Sequence, residues 1–203
     1  LNPNQFQRRR VWSLTIRIWH WLLALAVCTA WGFGEFMDFA TIQWHFYLGY
    51  SILALLVFRL LLGLWGPQAQ RFSALPLGPG RIRTYLGSAL SRTPGGEVGH
   101  NPLGSLSLIA MLLALLAQAG TGLFIESEDF FEYGPLADYV SESTIHFMGI
   151  WHHRIAKLLL FLVGMHLAAM VYYRLWKREN LLLPMITGWK WVKAGRNNEQ
   201  QKK

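Results

Sequence analysis

Four blocks of the sequence, at about 14–33, 45–66, 103–125 and 150–173, are each apolar over a length that few soluble folds can accommodate. A hydrocarbon core of about 30 Å needs about 20 mostly apolar residues per helix, and each block meets that length. In lipid every backbone N–H and C=O must be paired inside the segment, which favours helices for such blocks. The expectation is an all-α integral membrane protein, a four-transmembrane-helix bundle in which residues 1–203 form a single domain. Composition agrees, with 53% hydrophobic and only 15% charged residues. The first block follows "QRRR" but is too long for a signal peptide and lacks a small-residue cleavage site, so it reads as a true span. No internal repeat is visible, and the remaining segments leave no room for a soluble domain.

The formal net charge of +8 could suggest nucleic acid, but its distribution points to a membrane instead. Arg8, Arg9, Arg10 and Arg17 precede or open span one; Arg71, Arg81, Arg83 and Arg92 lie between spans two and three; Arg174, Lys177, Arg178, Lys190, Lys193 and Arg196 follow span four. The positive-inside rule places both termini and the middle loop in the cytoplasm. The other two loops, "GEFMDFATIQ" and "IESEDFFEYGPLADYVSESTIHFMG", hold eight of the chain's 11 acidic residues (Glu35, Asp38, Glu126, Glu128, Asp129, Glu132, Asp138 and Glu142) and no Lys or Arg. The outer, periplasmic face is therefore expected to be acidic. Two segments read as interfacial and in contact with membrane lipid: the basic amphipathic piece "RIRTYLGSAL" and a tail at about 180–195 carrying Trp189 and Trp191.

Seven histidines remain to be placed. An imidazole inside a span is costly unless its nitrogens are engaged, so each is a functional candidate. His152 and His166 are 14 residues apart, about 40° short of four helical turns, and so share a face, whereas His153 points elsewhere. Those 14 steps rise roughly 21 Å, most of the way across the apolar core. His45 opens span two at the depth of His152, and His20 lies a few residues into span one at the depth of His166. The two pairs, His45 with His152 outside and His20 with His166 inside, suit the axial positions of two haem irons better than a tetrahedral zinc site. The single cysteine, Cys28, allows neither a covalent CxxCH attachment nor a disulfide within the chain, so any haem is held non-covalently.

Haem propionates call for cations. Arg59 stands 14 residues beyond His45, at the inner depth and on the same face, and Arg17 lies one turn before His20. Arg154 and Lys157 are the corresponding candidates at the outer end. Gly32, Gly34, Gly49, Gly63, Gly120, Gly122 and Gly164 are places where a flat macrocycle or a neighbouring helix could approach backbone. His146 and His153 are left without an assigned role.

The runs "VWSLTIRIWHWLLAL", "WHFYLGYSILALLVFRLLLGLWGPQAQRFS", "GHNPLGSLSLIAMLLALLAQAGTGLF", "HHRIAKLLLFLVGMH" and "ENLLLPMITG" together resemble the bacterial cytochrome b561 and nickel-iron hydrogenase b-type cytochrome family, in order and over nearly the whole chain. The resemblance implies a multi-pass protein of the bacterial inner membrane with two haems b, ligated by His20, His45, His152 and His166. It also implies electron exchange between the quinone pool, ubiquinone or menaquinone, and a partner outside. Four spans rather than five make the stand-alone dihaem form the nearer comparison and a hydrogenase partner the less expected one.

With both axial positions filled by imidazole, outer-sphere electron transfer is the expected chemistry. A quinone head needs a titratable or hydrogen-bonding group, and "GHNP" offers His100 and Asn101 at the inner surface; the same motif is equally a helix start capped by Asn101 with Pro102 at the first helical position. Some relatives of this family oxidise superoxide, but the acidic outer loops would repel that anion and draw in a basic protein. A periplasmic c-type cytochrome or similar basic carrier is therefore the expected partner. Two alternatives stay open: a superoxide oxidase, and an anchor or electron-transfer subunit of a larger complex. A metal transporter is disfavoured because the spans contain no Asp or Glu. Nothing in the sequence decides on a homodimer.

Overall fold

A computed structural model of the chain describes residues 6–92, 99–127 and 132–193. Glu128, Asp129 and Arg196, counted above among the loop and tail charges, lie outside the described residues. In chain order the elements are strand β1 (Phe6–Arg10), helices α1 (Leu14–Glu35), α2 (Ile42–Trp65), α3 (Pro79–Ala89) and α4 (Pro102–Gly122), strands β2 (Glu126–Ser127) and β3 (Glu132–Tyr133), helices α5 (Glu142–Leu175) and α6 (Leu182–Thr187), and strand β4 (Trp189–Lys193). Among the described residues α1, α2, α4 and α5 are long and apolar enough to cross a membrane. The fold is mostly helical, as expected, with two small two-stranded sheets added to it.

Two helices begin earlier than the apolar blocks indicate. Ahead of α2 the Asp38 carboxylate accepts hydrogen bonds from the N–H of Ala40 (2.9 Å), the N–H of Thr41 (2.7 Å) and the Thr41 hydroxyl (2.8 Å), while its carbonyl accepts from Ile42 (3.0 Å). This turn starts the helix at Ile42, so that His45 sits within its first turn and not at its end. α5 begins at Glu142, eight residues ahead of the expected boundary. There the Ser141 carbonyl accepts from Thr144 (2.8 Å) and Ile145 (3.0 Å), and Glu142 lies in the first turn, where the helix dipole favours negative charge. At 34 residues α5 runs about 51 Å, longer than the hydrocarbon core, and its polar first turns account for the excess.

The chain forms two compact units. One comprises Trp19–Ala74 and Ser107–Gly164; the other comprises the residues up to Ile18, Leu75–Leu106, and those from Met165 onward. The core of the first unit is a stripe on α1, Trp19, Leu23, Ala26 and Ala30, at the i, i+4, i+7, i+11 spacing of a single helix face. It packs with Ile52 and Leu56 of α2, Leu112, Ala114 and Leu115 of α4, and Leu159 of α5. The alanines let backbones approach closely, which membrane helices exploit because lipid offers no hydrophobic driving force between them. Trp19 also donates its indole N–H to the Leu55 carbonyl at 2.8 Å. Leu25 and its neighbours on the opposite face are exposed, as suits contact with acyl chains.

In the second unit β1 pairs antiparallel with β4, from Phe6 opposite Lys193 to Arg10 opposite Trp189. Gly188 makes the turn into β4: it caps α6 at φ 85°, a left-handed conformation that suits glycine, and its carbonyl accepts from Val11 at 2.8 Å. The basic piece of the middle loop forms α3, which is tied to the end of α5. Tyr85 and Tyr173 share a hydroxyl–hydroxyl bond, Tyr172 donates to the Ala89 carbonyl (3.0 Å), and Trp176 donates to the Leu90 carbonyl (3.0 Å). Lys177, only 3% exposed, donates to the Ser88 carbonyl and lies over the rings of Tyr85 and Tyr173.

Candidate functional site

His45 on α2 and His152 on α5 face each other within the first unit, ring centres 6.2 Å apart and ring planes at 72°. The Nδ1 of His45 donates to the Ala30 carbonyl (2.8 Å). The Nδ1 of His152 is shared between the Gln118 carbonyl (3.1 Å) and the Thr121 hydroxyl oxygen (3.2 Å). A carbonyl can only accept, so the proton is on Nδ1 in both rings and the Nε2 lone pairs are left for a metal. Thr121 donates its own proton back along α4, to Ala117 or Gln118 at 2.9 Å, which leaves its oxygen free to accept from His152. Such outer contacts fix the tautomer and ring orientation of metal-binding imidazoles.

The packing around the two rings is equally specific. A Cβ on Gly34 would stand 3.1 Å from Cε1 of His45, and one on Gly122 would stand 3.2 Å from Cε1 of His152, so each imidazole has a glycine beneath it. A metal–nitrogen bond of about 2 Å puts the centre of a ligating ring roughly 3 Å from the metal, so opposed ligands have centres about 6 Å apart. At the observed 6.2 Å the two imidazoles could hold one metal ion between them. Among the described residues no group of three or more His, Cys, Asp or Glu could hold a metal ion by itself. A haem, which supplies four ring nitrogens of its own, needs only the two.

His153 is exposed, as helical phase predicts, and so is His146. His20 and His166 are both partly buried on their own helices. His20 belongs to the first unit and meets the ring of Trp21 edge-on at 5.3 Å; His166 belongs to the second. The glycines divide by role. A Cβ on Gly63 would fall into the Phe72 ring, so that residue is needed for packing, whereas one on Gly32, Gly49, Gly120 or Gly164 would meet nothing within 4 Å.

Arg59 is 5% exposed and donates to the Gln70 carbonyl (3.2 Å), with its guanidinium over the rings of Phe72 (4.7 Å) and Trp19 (5.8 Å). Arg17 is partly buried and donates to the Ile186 carbonyl, which ties the start of α1 to α6. Arg154 and Lys157 are exposed, and Arg154 lies over the Trp151 ring at 5.5 Å. Asn101 caps α4 by accepting from Gly104 (2.7 Å), with Pro102 as the first helical residue, and its amide donates to the Tyr173 hydroxyl (2.7 Å). His100, beside it, meets Trp12 edge-on at 4.7 Å. The groups that sequence reasoning missed are the partners of the imidazoles. Thr121, a hydroxyl inside an apolar run, was a readable signal; the carbonyls of Ala30 and Gln118 gave none.

Comparison with known proteins identifies the family. The family model described as prokaryotic cytochrome b561 matches residues 11–188. A protein from Rhizobium leguminosarum bv. viciae is 26% identical over 213 residues, covering 88% of this chain and 87% of its own. Proteins from Azotobacter vinelandii and Azotobacter chroococcum mcd 1 are each 24% identical, covering 92% of this chain and 90% of their own. All three are named probable Ni/Fe-hydrogenase B-type cytochrome subunits, a different emphasis from the stand-alone form to which the span count pointed. The chain belongs to the prokaryotic cytochrome b561 family and is a multi-pass b-type cytochrome of the bacterial inner membrane.

Proposed function

We propose that the chain binds two haems b, one between His45 and His152 and one between His20 and His166, and carries electrons between the quinone pool and a redox partner at its acidic outer face. The observation that supports this most directly is the opposed pair of imidazoles with both Nδ1 atoms hydrogen bonded. The second pair rests on phase and depth along α1 and α5. When bound, haem b would supply reversible one-electron chemistry.

The chain's own residues hold the ligands in one tautomer, place cations for propionates and supply a group for the quinone. On the basic side Arg17 and Arg59 serve the inner propionates; the five N–H donors of a guanidinium can satisfy a carboxylate beside the carbonyl each already engages. Arg154 and Lys157 serve the outer ones. His100 and Asn101 meet the head of ubiquinone or menaquinone, His100 as the proton-exchanging group and Asn101 through its link to Tyr173. The basic termini and middle loop face the cytoplasm.

The acids of the outer face favour a basic carrier such as a c-type cytochrome over superoxide as the outer reactant. The names of the three relatives favour a second reading, in which the partner is a membrane-attached metalloenzyme of hydrogenase type. The deciding experiment is a pyridine haemochrome assay with reduced spectra on purified protein, His45→Ala and His166→Ala. Two haems b per chain, falling towards one in each variant, is the expected result; an unchanged haem content in both would end the proposal. Stoichiometric co-purification of a metalloenzyme with the tagged chain from native membranes would select the second reading.

A further inference from the structure

The β1–β4 ribbon has two unlike faces. Side chains alternate along a strand and residues directly opposite each other share a face. Arg8 and Arg10 therefore stand on the same side as their partners Trp191 and Trp189. The other face carries Lys190, paired with Glu179 at 2.6 Å, Val192, which is 1% exposed, and Arg9, which is exposed, so that face is turned into the protein along β4. The arginine–tryptophan face is turned outward: Trp189 is 42% and Trp191 56% exposed, and Arg8 and Arg10 are exposed as well. The Arg8 guanidinium lies 5.1 Å from the centre of the Trp189 ring, a cation–π contact that braces both side chains. Just before the ribbon α6 leaves Leu182, Leu183 and Ile186 exposed.

We infer that this ribbon is a binding site for an anionic phospholipid headgroup, with Arg8 and Arg10 on the phosphate, Trp189 and Trp191 at the glycerol level, and the apolar residues of α6 against the acyl chains. Its elements suit a lipid better than a soluble anion, because exposed tryptophans and leucines gain nothing from free phosphate. Interfacial tryptophan and juxtamembrane arginine are the side chains that bilayer physics places at that depth. The ribbon also joins the first and last described segments, so a bound lipid would hold β1 and β4 at one membrane surface. The inference does not depend on how the haems are ligated.

The test is native mass spectrometry of the full chain taken from mixed micelles with equal phosphatidylglycerol and phosphatidylcholine of matched acyl chains. Wild type should retain phosphatidylglycerol in preference, and Arg8→Gln/Arg10→Gln should lower that preference by roughly tenfold, while Arg8→Lys/Arg10→Lys keeps most of it. Haem absorbance and helical circular dichroism should stay unchanged in both variants. Equal retention of the two lipids by wild type, an unaltered preference in the Gln variant, or a changed dimer fraction without a changed lipid preference would overturn the inference. If the Gln variant does not fold, Trp191→Ala and a salt series on wild type decide it: a preference indifferent to both overturns it.

Discussion

Gly34 lies directly against the imidazole of His45: a Cβ at that position would stand 3.1 Å from Cε1 and 3.4 Å from Nδ1 of the ring. The glycine leaves room for the imidazole in this orientation. Gly34→Val should force His45 off its rotamer, at roughly 1 kcal/mol or more, and break the alignment of Nδ1 with the Ala30 carbonyl. We expect haem content to fall towards one per chain with the helical dichroism preserved. Gly87→Ala is the control, since its Cβ meets nothing within 4 Å and it lies on α3, outside the four spans. Equal haem loss in both variants would refute the steric account.

Thr121 gives a finer probe of the same pair. Thr121→Val removes the hydroxyl contact to His152 but leaves the Gln118 carbonyl at 3.1 Å, so the ring keeps its tautomer. Haem should remain bound while the midpoint potential of the haem proposed between His45 and His152 moves and that of the other stays, because hydrogen bonds beyond the ligand tune the metal. A redox titration that shows both potentials shifted together, or neither, would contradict this assignment.

The four spans were legible because lipid imposes a length and a polarity that short-range sequence carries, and the facing of His45 and His152 was legible because helical phase is regular. Helix starts were less so: the block "STIHFMG" looks like loop by polarity, yet Ser141 and Glu142 begin a helix there. The β1–β4 pairing could not be read at all. "FQRRR" has no alternating pattern, and its partner lies some 180 residues away. Likewise Arg17 and Arg59 looked like bare cations in the sequence, while the carbonyls of Ile186 and Gln70 that accept from them are set by tertiary contact alone.

Arg59 combines one charged hydrogen bond with two aromatic faces in a buried setting. Arg59→Ala forfeits all three, a loss of about 2 kcal/mol or more. Arg59→Lys keeps a cation near the rings and should recover part of it. Thermal unfolding in detergent, followed by haem absorbance, should rank the proteins as wild type, Lys, then Ala. An Ala variant as stable as wild type would show that the contacts are incidental.

Asp38 ties the start of α2 to pH. The Thr41 hydroxyl and then the Thr41 amide hold its carboxyl below the ordinary carboxylate range against a smaller opposing desolvation, and the Ala40 amide adds the least. A carboxyl lowered in the folded state stabilises fully above its unfolded pKa and loses that contribution as pH falls through the lowered value. Protection of the Ala40 and Thr41 amides against hydrogen exchange should therefore be flat through neutral pH and drop only in strong acid. Asp38→Asn, which does not titrate, should abolish the drop; persistence of the drop would assign it to another group.

The outer reactant can be identified by charge. Glu35, Asp38, Glu126, Glu132, Asp138 and Glu142 belong to the loops and helix ends on the side of His45 and His152, where the loops contain no Lys or Arg. A basic protein approaching that face is steered by attraction that salt screens over about 8 Å at physiological ionic strength. The rate of haem reduction by a reduced basic c-type cytochrome should fall steeply as salt is raised, and should weaken further in Glu126→Gln/Glu132→Gln. Superoxide carries the opposite charge, so its reaction should quicken under the same two changes. Opposite slopes for the two donors would establish that the acids select the partner; parallel slopes would show that the surface charge plays no part, and would turn attention to a docked metalloenzyme.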